Sequence, residues 1–327
     1  MRKLTLAFLA LAMLGLIVPS VAMADTVVDL IAGQHYDVGD VTVSSDADNI
    51  YVRFDITRFG YFLYKTQVDV NLDYNNIPQK NGNTIPGKFA YKKSLDFATS
   101  WTQVIPIKDE WRGAMVYIAA HADVGGLGKT VESICANLPA QVTEEVWPGT
   151  ESYMIKTLTE AGPLNGVWAG WCLNPFIQVT EGWKGEAAVY CSYADPLTLP
   201  ALFGDVSYLD SVNWLLNNSE GIDMPIVQAA IWMLLHGDNP DLAPHIVKLG
   251  VDPADPALAA IVAEAKLHDG FKPMKGQYVV VLLAPEGVQP NLILVKIVGD
   301  ETAWGKGTDF YGSDWSMWFT YDVPALP

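Results

Sequence analysis

The sequence predicts a mainly β protein in which a discontinuous antiparallel β-sandwich carries an inserted α+β domain. Residues 25–124 alternate between apolar and polar side chains, residues 129–298 mix strands with helices, and the chain returns to aromatic, strand-like sequence after Glu301. A period of two gives each strand one apolar and one polar face, as in an antiparallel sandwich. We therefore expect a sandwich from residues 25–128 plus 299–327 and an inserted domain from residues 129–298.

The N-terminus has the pattern of a secretory signal peptide. Arg2 and Lys3 precede an almost unbroken apolar run, and Ala22-Met23-Ala24 supplies small residues at a cleavage site. The run is short for a bilayer-spanning helix, which needs about 20 residues. We expect residues 1–24 to be removed and the mature protein, beginning at Asp25, to be secreted or displayed at the cell surface without a membrane span; the alternative is an uncleaved anchor.

The charge is strongly negative. Removing residues 1–24, which contain two basic and no acidic residues, changes the formal net charge from −17 to −19. Such a chain repels nucleic acid and anionic membrane surfaces. The five histidines lack metal-ligand spacing, and Asp123 stands where a phosphate loop ending in Gly128-Lys129-Thr130 needs glycine. We therefore predict no metal, no cofactor and no catalytic residue.

The sandwich strands are predicted at residues 26–31, 40–44, 50–57, 64–73, 101–107 and 114–120. In the fourth of these, Val68 and Val70 alternate with Gln67 and Asp69, which predicts a buried and a solvent-facing side. Aromatic residues are dense near the C-terminus, at Trp304, Phe310, Trp315, Trp318, Phe319 and Tyr321. They fit the last strands of the sandwich core, with a glycan-stacking platform as the alternative.

In the middle region, helices are predicted at residues 208–217, 225–235 and 256–267. The second and third follow Asp223 and Asp255, which are suitable N-caps. Strands are predicted at residues 187–193, 277–283 and 292–298. This mixture of elements is what distinguishes the proposed insertion from the sandwich.

Two parts of the chain resemble known modules. Residues 30–39, 118–122 and 301–321 are similar to a β-sandwich module of secreted microbial proteins, mostly of unassigned function. In such proteins the Ala-His-Ala and Ala-Trp-Gly blocks can lie close together, whereas about 180 residues separate them here, which supports the insertion.

The inserted part resembles the TQXA-like thioester domains of microbial surface proteins. The matching residues are Gly170-Trp171-Cys172-Leu173-Asn174, residues 207–217 and Val227-Gln228-Ala229-Ala230-Ile231-Trp232. The resemblance implies a thioester between the Cys172 sulfur and the Gln228 side chain, which captures an amine on an extracellular partner. The family often has an acidic residue shortly after the cysteine, whereas Leu173-Asn174 follows here. A thioester-type fold in this chain therefore does not by itself imply a reactive bond.

The position of Gln228 gives this chemistry a physical reason. Ile231 and Trp232 follow it at helical spacing, so its carboxamide faces an apolar stripe. A primary amide has four hydrogen-bonding sites, and each one left unmade costs about 1–3 kcal/mol. Acylating Cys172 expels ammonia and removes two donors, and Trp171 and Trp232 are expected to shield the product from water.

The cysteines leave alternatives open. Cys135, Cys172 and Cys191 allow one disulfide and one cysteine without a partner. A Cys135–Cys191 disulfide favours the thioester, whereas a Cys172–Cys191 disulfide excludes it. The alternative to the thioester is a buried Gln228 that hydrogen bonds to backbone groups, with Cys172 either in a disulfide or as a plain buried thiol.

Function is therefore expected to be adhesion or binding rather than enzymatic. The alternative is a non-covalent structural or carbohydrate-binding protein of an envelope or matrix. A secreted hydrolase is a third hypothesis, but no two carboxylates stand out as a glycosidase pair.

Overall fold

A computed structural model of the protein describes residues 25–147 and 154–325. The signal peptide predicted for residues 1–24 lies outside the described residues. Within the described ranges the protein is mainly β, and its sheets are antiparallel.

The elements follow one another in three groups. The first contains β1 (Thr26–Ala32), β2 (Tyr36–Ser45), β3 (Asn49–Ile56), β4 (Phe62–Asn71), β5 (Gln79–Lys80), β6 (Asn83–Thr84), β7 (Tyr91–Ala98), β8 (Ser100–Pro106) and β9 (Met115–Gly125). The second contains α1 (Val131–Asn137), β10 (Gln141–Trp147), β11 (Met154–Thr159), β12 (Gly166–Cys172), β13 (Lys184–Cys191), α2 (Leu209–Asn217), α3 (Met224–His236), α4 (Ala243–Lys248), α5 (Pro256–Lys266), β14 (Tyr278–Pro285) and β15 (Asn291–Lys296). The third contains β16 (Glu301–Gly305), β17 (Thr308–Asp309) and β18 (Met317–Asp322).

The first and third groups form a ten-stranded sheet, apart from the separate β5–β6 pair. Strand β9 is at its centre, with β4 on one side and with β16 and β18 on the other. Strand β16 also pairs with β1. This strand from the C-terminal part of the chain therefore lies between β1 and β9, which come from the N-terminal part. In this register Trp304 pairs with His121 and Ala303 with Ala122, which places the Ala-His-Ala and Ala-Trp-Gly blocks side by side.

This sheet has apolar clusters on both faces. One cluster contains residues such as Leu30, Phe54 and Ile118 from most of the long strands, and the other contains Phe89 and Trp304. Both faces of β4 are consequently covered, and Gln67 and Asp69 are only 3% and 4% exposed. The prediction of a solvent-facing side for this strand was wrong, because its alternating pattern does not reveal the second cluster.

The second group contains a closed sheet. Its six strands run β10-β11-β12-β15-β14-β13, and β13 pairs with β10 to complete the ring. Apolar side chains fill most of the interior, among them Trp168, Val281 and Ile293. Helices α2, α3 and α5 pack together and cover the outer face of this sheet at Val280, Leu282 and Leu292.

The three predicted helices in the middle of the chain are confirmed to within a residue or two at each end. Asp255 caps α5 by accepting the backbone N–H of Ala257 at 2.8 Å, but the Asp223 side chain makes no capping bond at α3. The strands β7, β10, β11 and β12, the two-residue strands β5 and β6, and the short helices α1 and α4 were missed. None of the helices in the described ranges is both long and apolar enough to cross a bilayer.

The buried His121 gives the first sheet a pH dependence. Burial lowers the pKa of this imidazole to about 4, and its Nδ1 hydrogen bonds to Gln67 Oε1 at 3.0 Å. In the unfolded chain the pKa is about 6.5, so the unfolded state binds the extra proton between these values and stability falls as pH decreases. We expect His121 to lower the free energy of unfolding by about 3 kcal/mol at pH 4.

Chemical denaturation at a series of pH values tests this effect of His121. As the pH decreases, the free energy of unfolding should fall more steeply for the wild type than for His121→Gln. Equal slopes for the two proteins would contradict the prediction.

Candidate functional site

The cysteine pairing leaves one sulfur available. Cys135 on α1 and Cys191 on β13 form a disulfide, with their Cα atoms 5.3 Å apart. Cys172, at the end of β12, is a buried free cysteine. Of the pairings that the sequence allowed, this is the one that leaves Cys172 without a disulfide partner.

Gln228 binds the backbone of Cys172 with its whole carboxamide. Gln228 Oε1 accepts the backbone N–H of Cys172 at 2.9 Å, and Gln228 Nε2 donates to the Cys172 carbonyl oxygen at 2.8 Å. The Gln228 side chain is completely buried in the second turn of α3. Folding therefore brings the side chain of Gln228 to Cys172 from a position 56 residues away in the chain.

The two tryptophans occupy different positions around this pair. Trp232, one turn after Gln228 on α3, is 6% exposed and donates its indole N–H to the Cys172 carbonyl oxygen at 3.1 Å. Trp171 pairs with Leu292 and packs, partly buried, against the helical cluster, whereas Cys172 pairs with Asn291. Successive side chains of a strand point to opposite faces. Trp232 thus contacts Cys172 directly, and Trp171 covers the neighbouring face of β12.

Burial makes the Cys172 thiol a weak acid. It raises the pKa of this thiol to about 12, although hydrogen bonds from Trp232 and from the backbone N–H of Asn174 stabilise the sulfur and act in the opposite direction. At neutral pH the free side chain is therefore a neutral thiol rather than a thiolate.

An acidic cleft adjoins the site. It has a volume of about 480 Å³, and three carboxylates, Asp205, Asp238 and Asp241, line it together with one basic residue, Lys266. His236 also lines this cleft, and its Nε2 donates to the carbonyl oxygen of Leu173, the residue after Cys172, at 2.9 Å. Burial lowers the pKa of His236, so the imidazole is neutral at neutral pH. His236 therefore lines the cleft and also hydrogen bonds to the segment that contains Cys172.

A group of buried polar side chains lies inside the closed sheet, and one of its members, Asn291, pairs with Cys172. Glu144, Lys156 and Asn291 are each completely buried. Our reading of the sequence missed them. A signal was present, because Glu144 lies between Val142 and Val146 on the same, buried face of β10. The partners come from β11 and β15, however, and no sequence pattern indicates that these strands approach each other.

The described residues show no metal centre, and the comparisons with known proteins give no match. Within residues 25–147 and 154–325 no group of three His, Cys, Asp or Glu side chains is arranged to hold a metal ion. No protein-family profile, curated protein or solved structure matches the chain. The site must therefore be interpreted from its own geometry.

Removing the Gln228 carboxamide should lower the free energy of unfolding more than removing the indole N–H of Trp232. Both changes are made in the Cys172→Ala background, where the Gln228 carboxamide stays intact. Gln228→Met leaves the buried N–H of residue 172 without an acceptor, so we expect the free energy of unfolding to fall by about 3 kcal/mol. Trp232→Phe keeps most of the ring and leaves the carbonyl of residue 172 bound to Gln228, so the loss should be about 1 kcal/mol. Urea denaturation measures both values. Equal losses would show that Gln228 has no special part in holding β12 to α3.

Proposed function

We propose that the protein is an exported adhesion or binding protein whose Cys172 and Gln228 form an internal thioester that captures an amine on a partner. The observation that carries this proposal is the hydrogen bonding of the Gln228 carboxamide to both backbone groups of Cys172. It holds the Gln228 carboxamide against the backbone of Cys172, a cysteine that has no disulfide partner. The proposal also includes the two-module arrangement of a discontinuous sandwich with an inserted thioester-type domain.

Formation of the bond is balanced within the protein. The Cys172 sulfur bonds to Gln228 Cδ, the Cδ–Nε2 bond breaks, and the thiol proton leaves with the amide nitrogen as ammonia. The Cys172 carbonyl oxygen then loses its bond from Nε2 but keeps the one from Trp232 Nε1. No buried carbonyl is left without a donor, so the departure of ammonia carries no such penalty.

The same contacts suit the capture step. An amine attacks Gln228 Cδ, the Cδ–Sγ bond breaks, and the sulfur takes up a proton as a stable amide forms. Negative charge develops on Oε1, which is 2.9 Å from the backbone nitrogen of Cys172. A donor at this distance stabilises an oxyanion. Before capture, the burial of both side chains protects the thioester from hydrolysis.

The acidic cleft provides a reason for an amine to accumulate at this site. Lysine side chains and small amines are mostly cations at neutral pH. A cleft lined by carboxylates raises the local concentration of cations and their rate of association. The partner class supported best is therefore a protein with an accessible lysine, in agreement with the strongly acidic character of the chain.

Methylamine tests the thioester directly. The wild-type chain should be lighter by one ammonia than the mass expected from the Cys172→Ala variant once the mass change of the substitution is added back. Incubation with methylamine should add one methylamine to the wild type, at Gln228, and none to the variant. Intact-mass and peptide mass spectrometry give both results.

The control is a second glutamine near the same site. Gln289 donates to the carbonyl oxygen of Asn174 at 3.2 Å and does not contact Cys172. Gln289→Ala should keep both the missing ammonia and the reaction with methylamine. A wild-type chain with an intact Gln228 carboxamide and no methylamine uptake would reject the thioester and leave a non-covalent binding protein.

The cleft can be tested separately from the bond. The Asp238→Asn/Asp241→Asn double variant should slow labelling by a fluorescent, cationic lysine peptide by about threefold, because the attraction for the ammonium group is weaker. Asp309→Asn/Asp322→Asn makes the same change in charge on the exposed surface of the first sheet and should leave the rate unchanged. Equal rates for the wild type and the cleft variant would show that the amine does not enter through this cleft.

A further inference from the structure

We propose that Lys156 and Asn291 form a covalent amide bond inside the closed sheet, with Glu144 as the residue that transfers the protons. This modification is separate from the thioester and uses none of its atoms. It would join β11 to β15 across β12, the strand that carries Cys172.

The contacts between the three side chains match the requirements of this reaction. Lys156 Nζ donates to Asn291 Oδ1, so the amine nitrogen lies next to the carbonyl carbon that it would attack. Asn291 Nδ2 donates to Glu144 Oε1 at 2.9 Å, and the same carboxylate oxygen is 3.6 Å from Lys156 Nζ. Glu144 therefore reaches both the nitrogen that must lose protons and the nitrogen that must gain one.

The surroundings favour the uncharged product. All three side chains are completely buried, and burial lowers the pKa of Lys156, which favours the nucleophilic neutral amine. Glu144 Oε2 is buried without a hydrogen-bond partner. A buried ion pair with an unsatisfied oxygen is costly, whereas a secondary amide carries no charge.

Gly170 keeps the space between the two residues open. This glycine lies on β12, paired with Met154 of β11 on one side and with Ile293 of β15 on the other. A Cβ atom here would lie 3.0 Å from Lys156 Nζ and 1.9 Å from the Leu292 carbonyl oxygen. Only glycine fits this position, and its missing side chain lets Lys156 extend across β12 to reach Asn291.

The atoms balance without another reactant. Proton transfer from Lys156 to Glu144 gives a neutral amine, which attacks Asn291 Cγ. The Cγ–Nδ2 bond then breaks, and Glu144 returns a proton to the departing nitrogen. The attacking nitrogen passes its own excess proton through Glu144 to the same leaving group, which departs as ammonium, and Glu144 ends as the carboxylate that it was at the start. The bond closes a long loop between residues 156 and 291, which restricts the unfolded chain.

Peptide mass spectrometry of the wild-type protein tests the bond and does not depend on the thioester. Trypsin should fail to cleave after Lys156, and a branched peptide containing Lys156 and Asn291 should appear with the mass of its two parts less one ammonia. The branch should survive methylamine, hydroxylamine and reductant, which open a thioester or a disulfide. Recovery of the two peptides unlinked, with cleavage after Lys156, would overturn the proposal and leave a buried ion pair.

Two neighbouring carboxylates provide matched variants. Glu144→Gln is nearly isosteric and removes the proton carrier, so we expect the branched peptide to be lost. Glu145→Gln alters the next residue of β10, which is less buried and pairs with Lys184 at 3.2 Å, and should leave the bond intact. Asn291→Asp should still form the branch but with loss of water instead of ammonia. If Glu144→Gln does not fold, the wild-type digest decides the question alone.

Discussion

The hydrogen bonds between Gln228 and Cys172 are the interaction on which the candidate site depends. Strand β12 ends at Cys172, and α3 begins four residues before Gln228, so these two bonds attach the closed sheet to its helical cover. Both bonds are buried, where a lost partner costs about 1–3 kcal/mol. The same geometry that joins the two layers holds the Gln228 carboxamide against the backbone of the cysteine that has no disulfide partner.

Gln228 and Asn291, two buried side-chain amides, lie next to Cys172. Gln228 hydrogen bonds to the backbone of Cys172, and Asn291 pairs with Cys172 and accepts a hydrogen bond from the Lys156 amine. In both cases the proposed reaction releases the amide nitrogen, and in the Lys156–Asn291 case it also replaces a buried charged pair whose Glu144 Oε2 has no hydrogen-bond partner. The roles differ: the thioester would remain reactive toward an external amine, whereas the Lys156–Asn291 amide would be permanent. Bonding Lys156 to Asn291 would also remove a buried amine from the neighbourhood of the thioester.

The sequence predicted the parts of this molecule that depend on local pattern. The helices at α2, α3 and α5 and most long strands were found because their apolar spacing is regular, and the Cys172 and Gln228 segments were chosen on their motifs. The buried side of β4 and the Glu144, Lys156 and Asn291 group were not found. Both features depend on which strands pair although they are far apart in the sequence. Gln67 and Lys156 have side chains typical of the surface, and only the packing of other elements against their strands shows that they are buried.

A crystal structure at a resolution that separates bonded from non-bonded atoms tests the central claim most directly. The account predicts continuous density between Cys172 Sγ and Gln228 Cδ, no density for Nε2, and a Cys172 carbonyl oxygen that accepts only from Trp232. An intact Gln228 carboxamide that still donates to this carbonyl oxygen, with the thiol separated from Cδ by a van der Waals contact, would contradict the proposal of covalent capture.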